Sequence, residues 1–269
     1  MALTRFPALT GFRLNAREPD RLADFFVRAL GFKRSPAGLA LGPSRVALNR
    51  AAGAPYPAEV PGWSPLFQHF AIVTADMGAS LERLIQVGGW APITEGGAQT
   101  LPLASGGVTA FKFRDPEGHP LELIAPAAAA SGPPAPRIDH SAISVSDSAR
   151  SIAFYAALGF RVGAQTLNQG PEQDRLDGLE NAQVEVTALV QSQRANCHLE
   201  LLAYQGAYVR AGIAALDDVA ATRIQLRAAD AETFSSISAR LSEHLVQAWP
   251  AWLLLRDPDG HLVEIAPDL

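Results

Sequence analysis

Two histidines and two glutamates in the middle of the chain have the side-chain chemistry of a metal site. His69 and His140 each lie in the first predicted strand of a repeated unit, and Glu122 and Glu200 each lie in the last. Neutral imidazole nitrogens and carboxylate oxygens together suit Zn, Ni, Fe(II), Mn or Co, and they give Ca no special advantage. For His69 alone a hydrogen-bonded structural histidine would be favoured, but the set of four predicts one bound divalent metal ion.

The strands that carry a glutamate in units two and four follow the same turn sequence. RDPEGHPLE at residues 114–122 returns as RDPDGHLVE at residues 256–264. Proline fixes φ in such a turn and glycine supplies the backbone angle that other residues avoid, so both copies predict a tight turn leading into a strand. His119 and His261 follow the glycines, and we expect them to hydrogen-bond locally rather than to bind metal.

Four segments of the chain share one order of predicted elements: a strand, an amphipathic helix, and two or three short strands. The predicted helices carry apolar residues at helical spacing and lie at about residues 20–30, 76–87, 148–158 and 230–245. The units span about residues 5–55, 64–126, 137–206 and 219–268, and an Ala/Pro-rich linker occupies residues 127–136. The pattern predicts an α+β fold of four βαβββ modules, two in residues 1–126 and two in residues 137–269.

The residues that would face a common site follow from counting between landmarks that the units share. Counting back from the Gly-Phe after a helix, or from the Asp before it, gives the first-strand residues Phe12, His69, His140 and Arg223. The last-strand residues in units two, three and four are Glu122, Glu200 and Glu264. Neighbours on a strand face opposite ways, so the polar side chains should share the concave face. Arg223 and Glu264 should form an ion pair, because burying either charge alone is costly.

Composition narrows the class of protein. The 269 residues are 48% apolar, carry a net charge of −5 and contain no basic run, so nothing supports nucleic-acid binding. The one cysteine, Cys197, excludes an internal disulfide and fits a reducing compartment. Neither a signal-peptide core nor an apolar run of transmembrane length is present in the sequence. We therefore expect a cytoplasmic protein with no membrane partner.

The module pattern, with its Asp-Pro-(Asp/Glu)-Gly-His-x-(Leu/Val)-Glu ending, resembles the vicinal oxygen chelate superfamily. That group includes glyoxalase I, extradiol dioxygenases and bleomycin-resistance proteins, and the resemblance covers nearly the whole chain. It implies that two modules close one half-open, eight-stranded barrel, so that four modules build two barrels. It also implies a metal inside a barrel, at the positions of His69, Glu122, His140 and Glu200.

The pairing of the modules decides which residues share a barrel. If neighbours pair, the first barrel holds only His69 and Glu122, and the second holds His140, Glu200 and Glu264. If modules two and three pair and modules one and four pair, one barrel collects both histidines with Glu122 and Glu200. We favour this nested pairing because it brings the complete His/Glu pairs together. The polar segment at residues 167–179 is predicted as a loop that closes over a site.

The resemblance implies a metal-dependent enzyme for a small organic substrate that coordinates through two oxygens. Two histidines and two glutamates resemble the glyoxalase I pattern, in which the metal polarises a carbonyl and a glutamate moves a proton. Glu122 and Glu200 are then the candidate catalytic residues, and a glyoxalase- or epimerase-like lyase or isomerase is favoured. The family pattern also allows a homodimer.

Two alternatives stay open from the sequence. An extradiol ring-cleaving dioxygenase with Fe(II) needs two histidines and one glutamate, and its usual further histidine or tyrosine has as candidates His198, Tyr204 and Tyr208. A non-enzymatic small-molecule binder, like the resistance proteins, would hold no metal. The aromatic residues that either line the cavity or fill the barrel core are Trp90, Phe111, Phe113, Tyr204 and Trp249.

Overall fold

The computed structural model describes residues 6–127, 134–191, 197–206 and 212–267. Most of the predicted linker and Tyr208 lie outside these ranges. Module one comprises β1 (Ala8–Ala16), α1 (Pro19–Leu30), β2 (Lys33–Ser35), β3 (Gly38–Leu41) and β4 (Ser44–Arg50). Module two comprises β5 (Gln68–Val73), α2 (Met77–Val87), β6 (Ala91–Pro92), β7 (Gln99–Thr100), β8 (Thr109–Arg114) and β9 (Pro120–Ala125).

The second half of the chain repeats this order with one added helix. Module three comprises β10 (Ile138–Ser144), α3 (Ser148–Ala157), β11 (Arg161–Gln169), α4 (Pro171–Asp177), β12 (Gln183–Val190) and β13 (His198–Tyr204). Module four comprises β14 (Arg223–Ala228), α5 (Ala231–Arg240), β15 (Leu245–Trp249), β16 (Trp252–Arg256) and β17 (Leu262–Pro267). The α+β class and the two-sheet architecture expected for this superfamily are confirmed. None of the helices described is long and apolar enough to span a bilayer.

The strand order is that of the nested pairing. Modules two and three form one sheet, in the order β11-β12-β13-β10-β5-β9-β8-β6, with β7 paired to β8. Modules one and four form the other, in the order β15-β16-β17-β14-β1-β4-β3-β2. In each sheet the first strands of the two modules lie side by side and antiparallel, β5 with β10 and β1 with β14. We call these the two-three sheet and the one-four sheet.

Three helices begin where an aspartate caps the first turn. The side chains of Asp76, Asp147 and Asp230 each accept a hydrogen bond from the backbone N–H three residues later. Such caps satisfy a backbone donor that the helix cannot pair by itself. The sequence places an aspartate in the same position before each of these helices, so the repeat is visible in the caps as well as in the strands.

One apolar core joins the two sheets through the faces that the helices cover. Phe12 in β1 stacks on Phe70 in β5 with ring centroids 5.4 Å apart. Phe26 from α1, Leu84 from α2 and Tyr155 from α3 belong to the same buried cluster. The helix-covered faces are therefore filled by large apolar side chains, and the opposite faces are left for polar groups.

The placement of Phe12 on the concave face was wrong by one residue. Phe12 is buried in the shared core, and its neighbour Arg13 faces the inner side of the one-four sheet. The N-cap of α1, Glu18, lies 13 residues before Gly31, whereas the N-cap of α3, Asp147, lies 12 residues before Gly159, so counting back from the glycine slips by one position. A slip of one residue reverses the face on which every side chain of a strand lies.

The ring of His119 bonds within its turn, as predicted, whereas His261 does so only through its backbone, whose N–H donates to Asp257 Oδ1; both rings also reach the other sheet. His119 Nδ1 lies 2.8 Å from Asp115 Oδ2, and its Nε2 lies 2.9 Å from the carbonyl oxygen of Asn15 in β1. His261 Nε2 lies 2.8 Å from the carbonyl oxygen of Ser144 in β10. A carboxylate and a carbonyl can only accept, so His119 donates from both ring nitrogens and carries both protons.

The protonated His119 should make stability depend on pH. Burial alone would lower the pKa of His119, but Asp115 outweighs burial and raises it above the ordinary value. The stabilisation is therefore complete below about pH 6.5, the unfolded value, and is lost as pH rises through the higher folded pKa. We expect His119→Asn to lower the free energy of unfolding by about 2 kcal/mol near pH 6 and by less at alkaline pH. Chemical unfolding over a pH series measures this, and a difference that stays constant would contradict it.

Candidate metal centre

The four predicted side chains come from four adjacent strands of the two-three sheet. His69 is in β5, Glu122 in β9, His140 in β10 and Glu200 in β13, and these strands are neighbours in the order β13-β10-β5-β9. Ala142 lies between His69 and Glu200 in the strand pairing. Ala71 is likewise paired with Glu122 on one side and His140 on the other. The small side chains at these crossing points leave room for the larger ones to converge over them.

The ligand atoms of these residues converge closely. His69 Nε2 lies 3.0 Å from Glu122 Oε2, and His140 Nε2 lies 3.6 Å from the same oxygen. His140 Nε2 is also 3.6 Å from Glu200 Oε2. One ligand atom each from His69, Glu122 and His140 fall within 4.8 Å of one another. Ligands about 2.0–2.2 Å from a common ion would have such separations, so the nitrogen and oxygen donors fit a divalent transition metal.

Burial and neighbouring charges shift the pKa values of His69, Glu122 and His140. Burial lowers the pKa of His69, which favours the neutral imidazole that a metal needs. Burial alone would raise the pKa of Glu122, but hydrogen bonds from His140 and His69 hold it well below the ordinary value. The nearby carboxylates outweigh burial at His140 and raise its pKa well above the ordinary value. Glu122 is thus ionised, and the carboxylates around His140 attract positive charge.

Glu200 differs from Glu122 in its surroundings. Its side chain is 20% exposed, whereas that of Glu122 is 7% exposed. His198 Nε2 donates a hydrogen bond to Glu200 Oε1 over 3.1 Å. Glu200 lies outside the group of three side chains within 4.8 Å of one another. It is therefore the more exposed and more loosely held of the two carboxylates, and His198 binds one of its oxygens.

Asp139 is a functional candidate that sequence reasoning missed. Its Oδ2 lies 3.4 Å from His140 Nδ1 and 4.0 Å from His198 Nδ1, and Arg137 donates to its Oδ1 over 2.8 Å. A carboxylate behind the second nitrogen of a ligating histidine fixes the orientation and tautomer of the ring. Its position directly before His140 in the sequence was the available signal.

A cavity of about 250 Å³ opens over the four side chains. The charged residues that line it are Lys112, Glu122, Asp139 and Glu200, and Ser105, Thr166, Asn168, Gln173 and Tyr204 add neutral polar groups. Its apolar wall consists mainly of Leu101, Val108, Ile124, Leu176, Val184, Val186 and Leu202. Of the five aromatic residues considered from the sequence, Tyr204 lines this cavity. Phe111 and Phe113 are in the helix-side core, where Trp90 packs edge-on against both. Trp249 stacks on Trp252 in the one-four sheet and is 40% exposed.

Lys112 is a second residue that sequence reasoning missed. It lies in β8 directly opposite Glu122, lines the cavity and is 5% exposed. Its Nζ lies 2.6 Å from Asp177 Oδ1. Burial opposes its charge, but Asp177 and Glu122 raise its pKa, so the side chain stays a cation. Strand alternation was the available signal, because Phe111 and Phe113 turn into the core and leave Lys112 on the concave face.

The segment predicted as a loop over the site is an ordered strand end and a helix. Residues up to Gln169 belong to β11, and α4 follows with Pro at its first position. Thr94 Oγ1 donates to the carbonyl oxygen of Leu176 over 3.0 Å, and Arg175 Nε donates to Gln99 Oε1 over 2.8 Å. Helix α4 from module three is thereby fixed to module two and covers one side of the cavity.

The one-four sheet carries a charged cluster where the other sheet has the candidate metal centre. Glu264 accepts from Arg13 Nη2 over 2.8 Å and from Arg223 Nη1 over 3.2 Å, so the predicted ion pair with Arg223 forms. Arg13 Nη1 also donates to Asn49 Oδ1 over 3.0 Å. By strand register Arg223 and Glu264 match His69 and Glu122, whereas Arg13, the partner of Arg223, matches Ala142, the partner of His69. One guanidinium group thus occupies the position of His69, and a second reaches the same glutamate from the neighbouring strand.

The comparisons with known proteins agree with this architecture. Residues 137–265 match the family model for the Glyoxalase/Bleomycin resistance protein/Dioxygenase superfamily. Glyoxalase I from Zea mays is similar with a TM-score of 0.63 at 18% identity, over 97% of this chain and 92% of that chain. A Bacillus subtilis protein assigned as a dioxygenase is similar with a TM-score of 0.58 at 12% identity, over 99% of this chain and 86% of that chain. No curated protein matches the sequence. Likeness at these identities establishes the fold alone.

Proposed function

We propose that the chain is a metal-dependent lyase or isomerase of the Glyoxalase/Bleomycin resistance protein/Dioxygenase superfamily, whose family model residues 137–265 match. Its substrate would be a small organic molecule that presents two oxygens on adjacent carbons. His69, Glu122, His140 and Glu200 would hold one divalent ion, with Zn, Ni, Fe(II), Mn and Co all compatible with these donors. When bound, such an ion polarises a substrate carbonyl as a Lewis acid.

The observation that carries the proposal is the difference between the two glutamates. Glu122 is buried and lies near both histidines, which suits a permanent ligand. Glu200 lies at the edge of the cluster, is more exposed and keeps one oxygen on His198. A carboxylate that is held by one oxygen and can free the other suits a general base beside the metal.

The chemistry that follows is a proton transfer between neighbouring carbons of an α-hydroxycarbonyl compound. Glu200 takes the proton from the carbon that bears the hydroxyl group, and the C–H electron pair moves into the bond between the two carbons. Glu200 then returns a proton to the former carbonyl carbon, while the hydroxyl proton passes from one oxygen to the other. No oxidant or reductant is consumed, and the product is the isomeric α-hydroxycarbonyl compound.

An extradiol dioxygenase remains the second candidate because of one observation. The compact group contains two histidines and one glutamate, His69, His140 and Glu122, which is the ligand composition of non-haem Fe(II) oxygenases. Tyr204 does not favour this reading, since its hydroxyl donates to Asp177 over 2.9 Å and burial raises its pKa well above the ordinary value. The dioxygenase would consume O₂ with a catechol, and the isomerase would not.

The test of the proposal is metal-dependent exchange of carbon-bound hydrogen. The purified protein is stripped with a chelator, reloaded with each of the five ions, and incubated in D₂O with 2-hydroxyacetophenone. We expect deuterium to enter the carbinol carbon only in the reloaded protein, as followed by proton NMR. O₂ uptake with Fe(II) and catechol, without such exchange, would favour the dioxygenase. Ligand binding with no stoichiometric metal would favour a non-enzymatic binder.

Two matched glutamate variants show whether the ion lies where we propose. Glu122→Gln should weaken metal affinity by at least about 100-fold, because changes outside the ligand shell already cost 10–100-fold. Glu264→Gln changes the matching residue of the one-four sheet, where Arg13 and Arg223 surround it, and should leave metal content unchanged. Elemental analysis measures both, and equal metal loss in the two variants would contradict the assignment.

A further inference from the structure

The charges that face the cavity balance one another once a divalent ion is included. Glu122 and Glu200 together carry two negative charges, which a divalent ion neutralises. Lys112 is paired with Asp177 over 2.6 Å. Asp139 is paired with Arg137 over 2.8 Å. The site therefore holds no surplus positive charge for an anionic substrate.

The wall of the cavity adds no further cation. Among the described residues that line it, Lys112 is the one lysine or arginine, and it is already bound to Asp177. Val184, Val186 and Leu202 form an apolar patch on the β12 and β13 side of the cavity, next to Glu200 and Tyr204 of β13. A substrate carboxylate against this patch would lose hydration and gain no cationic partner there, which is unfavourable.

The size of the cavity limits the substrate as well. Its volume of about 250 Å³ is small against the roughly 300–1,000 Å³ of cavities that bind drug-sized ligands. At about 30 Å³ for each water molecule, it holds the equivalent of roughly eight waters. Helix α4 is fixed to module two by Arg175 and by the Lys112–Asp177 pair, so the cavity does not widen on that side without breaking these bonds.

We propose that the substrate is a small, uncharged α-hydroxycarbonyl compound with an apolar body and no carboxylate. This inference rests on the proposed function, because it assumes that the vicinal oxygens meet the metal while the remainder of the molecule contacts the wall of Val184, Val186 and Leu202. It excludes peptide-derived thiol conjugates with free carboxylates, since these would bring several uncompensated charges into the same wall.

The experiment compares two ligands that differ by one carboxylate. Cobalt-loaded protein is titrated with 2-hydroxyacetophenone and with 4-(hydroxyacetyl)benzoate, and binding is followed by the visible cobalt spectrum and by the rise in Tm. We expect the uncharged ligand to bind about 100-fold more tightly, because the carboxylate is desolvated without a partner. Exchange of the carbinol hydrogens in D₂O is recorded in parallel.

A substitution in the apolar wall tests the ratio of the two affinities rather than their absolute values. Val186→Lys places a cation on the apolar side, and we expect it to reduce the discrimination against the carboxylate at least about tenfold. Val186→Met is the matched control, of similar length and without charge, and should keep the discrimination.

The possible results separate the two proposals. Equal or tighter binding of the carboxylate by the wild-type protein would overturn the inference, and so would failure of both ligands to bind at millimolar concentration. Tight binding of the uncharged ligand without hydrogen exchange would support the substrate class and contradict the isomerase function. Tight binding with exchange supports both.

Discussion

Replacing Glu200 by glutamine should lower the rate of carbon-bound hydrogen exchange about 1,000-fold while the protein keeps its metal. Glutamine has the size of glutamate and can still accept the hydrogen bond from His198, which is 3.1 Å long in the wild-type protein. It cannot take up a proton. The variant thus separates the base from the ligand set, because His69, Glu122 and His140 still surround the ion. Deuterium incorporation and metal content are measured on the same sample.

The comparison with Glu122 sharpens this expectation. Glu122→Gln should lose activity together with its metal, because Glu122 Oε2 is the atom that lies within 3.6 Å of both His69 and His140. A Glu200→Gln protein that exchanges hydrogen at the wild-type rate with full metal content would contradict the role of Glu200. Glu122 would then be the remaining glutamate candidate for the base. Parallel loss of metal in both variants would make Glu200 an ordinary ligand.

The repeat explains how much of the site could be predicted from the sequence. In the strands of His69 and His140 an alanine stands two residues after the histidine and an isoleucine follows that alanine, and Glu122 and Glu200 are each flanked by two leucines. Period-two alternation fixes the face of a side chain, and the module order fixes which strand it belongs to. The nested pairing could be favoured because it alone joins complete His/Glu pairs, and the strand order agrees with it.

The features that were predicted wrongly or missed from the sequence also have definite physical causes. The position of Phe12 was wrong because the helix N-cap lies 13 residues before the glycine in module one and 12 residues before it in module three, and a slip of one residue reverses the face of a strand. Lys112 and Asp177 were missed because their pairing joins residues 65 positions apart in different modules. Helix α4 was predicted as a loop because a seven-residue helix has almost no periodicity, and its stability comes from contacts with Thr94 and Gln99.

The second large effect is the loss of stability expected when the Lys112–Asp177 ion pair is broken. Replacing Lys112 by methionine should lower the free energy of unfolding by about 3 kcal/mol, because it leaves the charge of Asp177 buried without its cation. The two side chains are 6% and 1% exposed, so solvent cannot replace the lost partner. Asp177 also accepts hydrogen bonds from Gln173 and Tyr204, which orient it but supply no charge. Chemical unfolding of the metal-free protein measures the loss.

A double-mutant cycle decides whether charge or packing causes this loss. Asp177→Asn keeps an oxygen that can accept from Tyr204 but leaves Lys112 uncompensated, so it should also be destabilising. The double variant Lys112→Met, Asp177→Asn removes both charges, so its free energy of unfolding should lie only about 1 kcal/mol below that of the wild-type protein. The coupling energy between the two substitutions should then be at least about 2 kcal/mol. Additive losses would show that Lys112 acts through its aliphatic stem. A coupled pair means that this buried charge interaction helps to hold α4 over the cavity, beside the bonds from Thr94 and Arg175, so breaking it should loosen the cover and the site together.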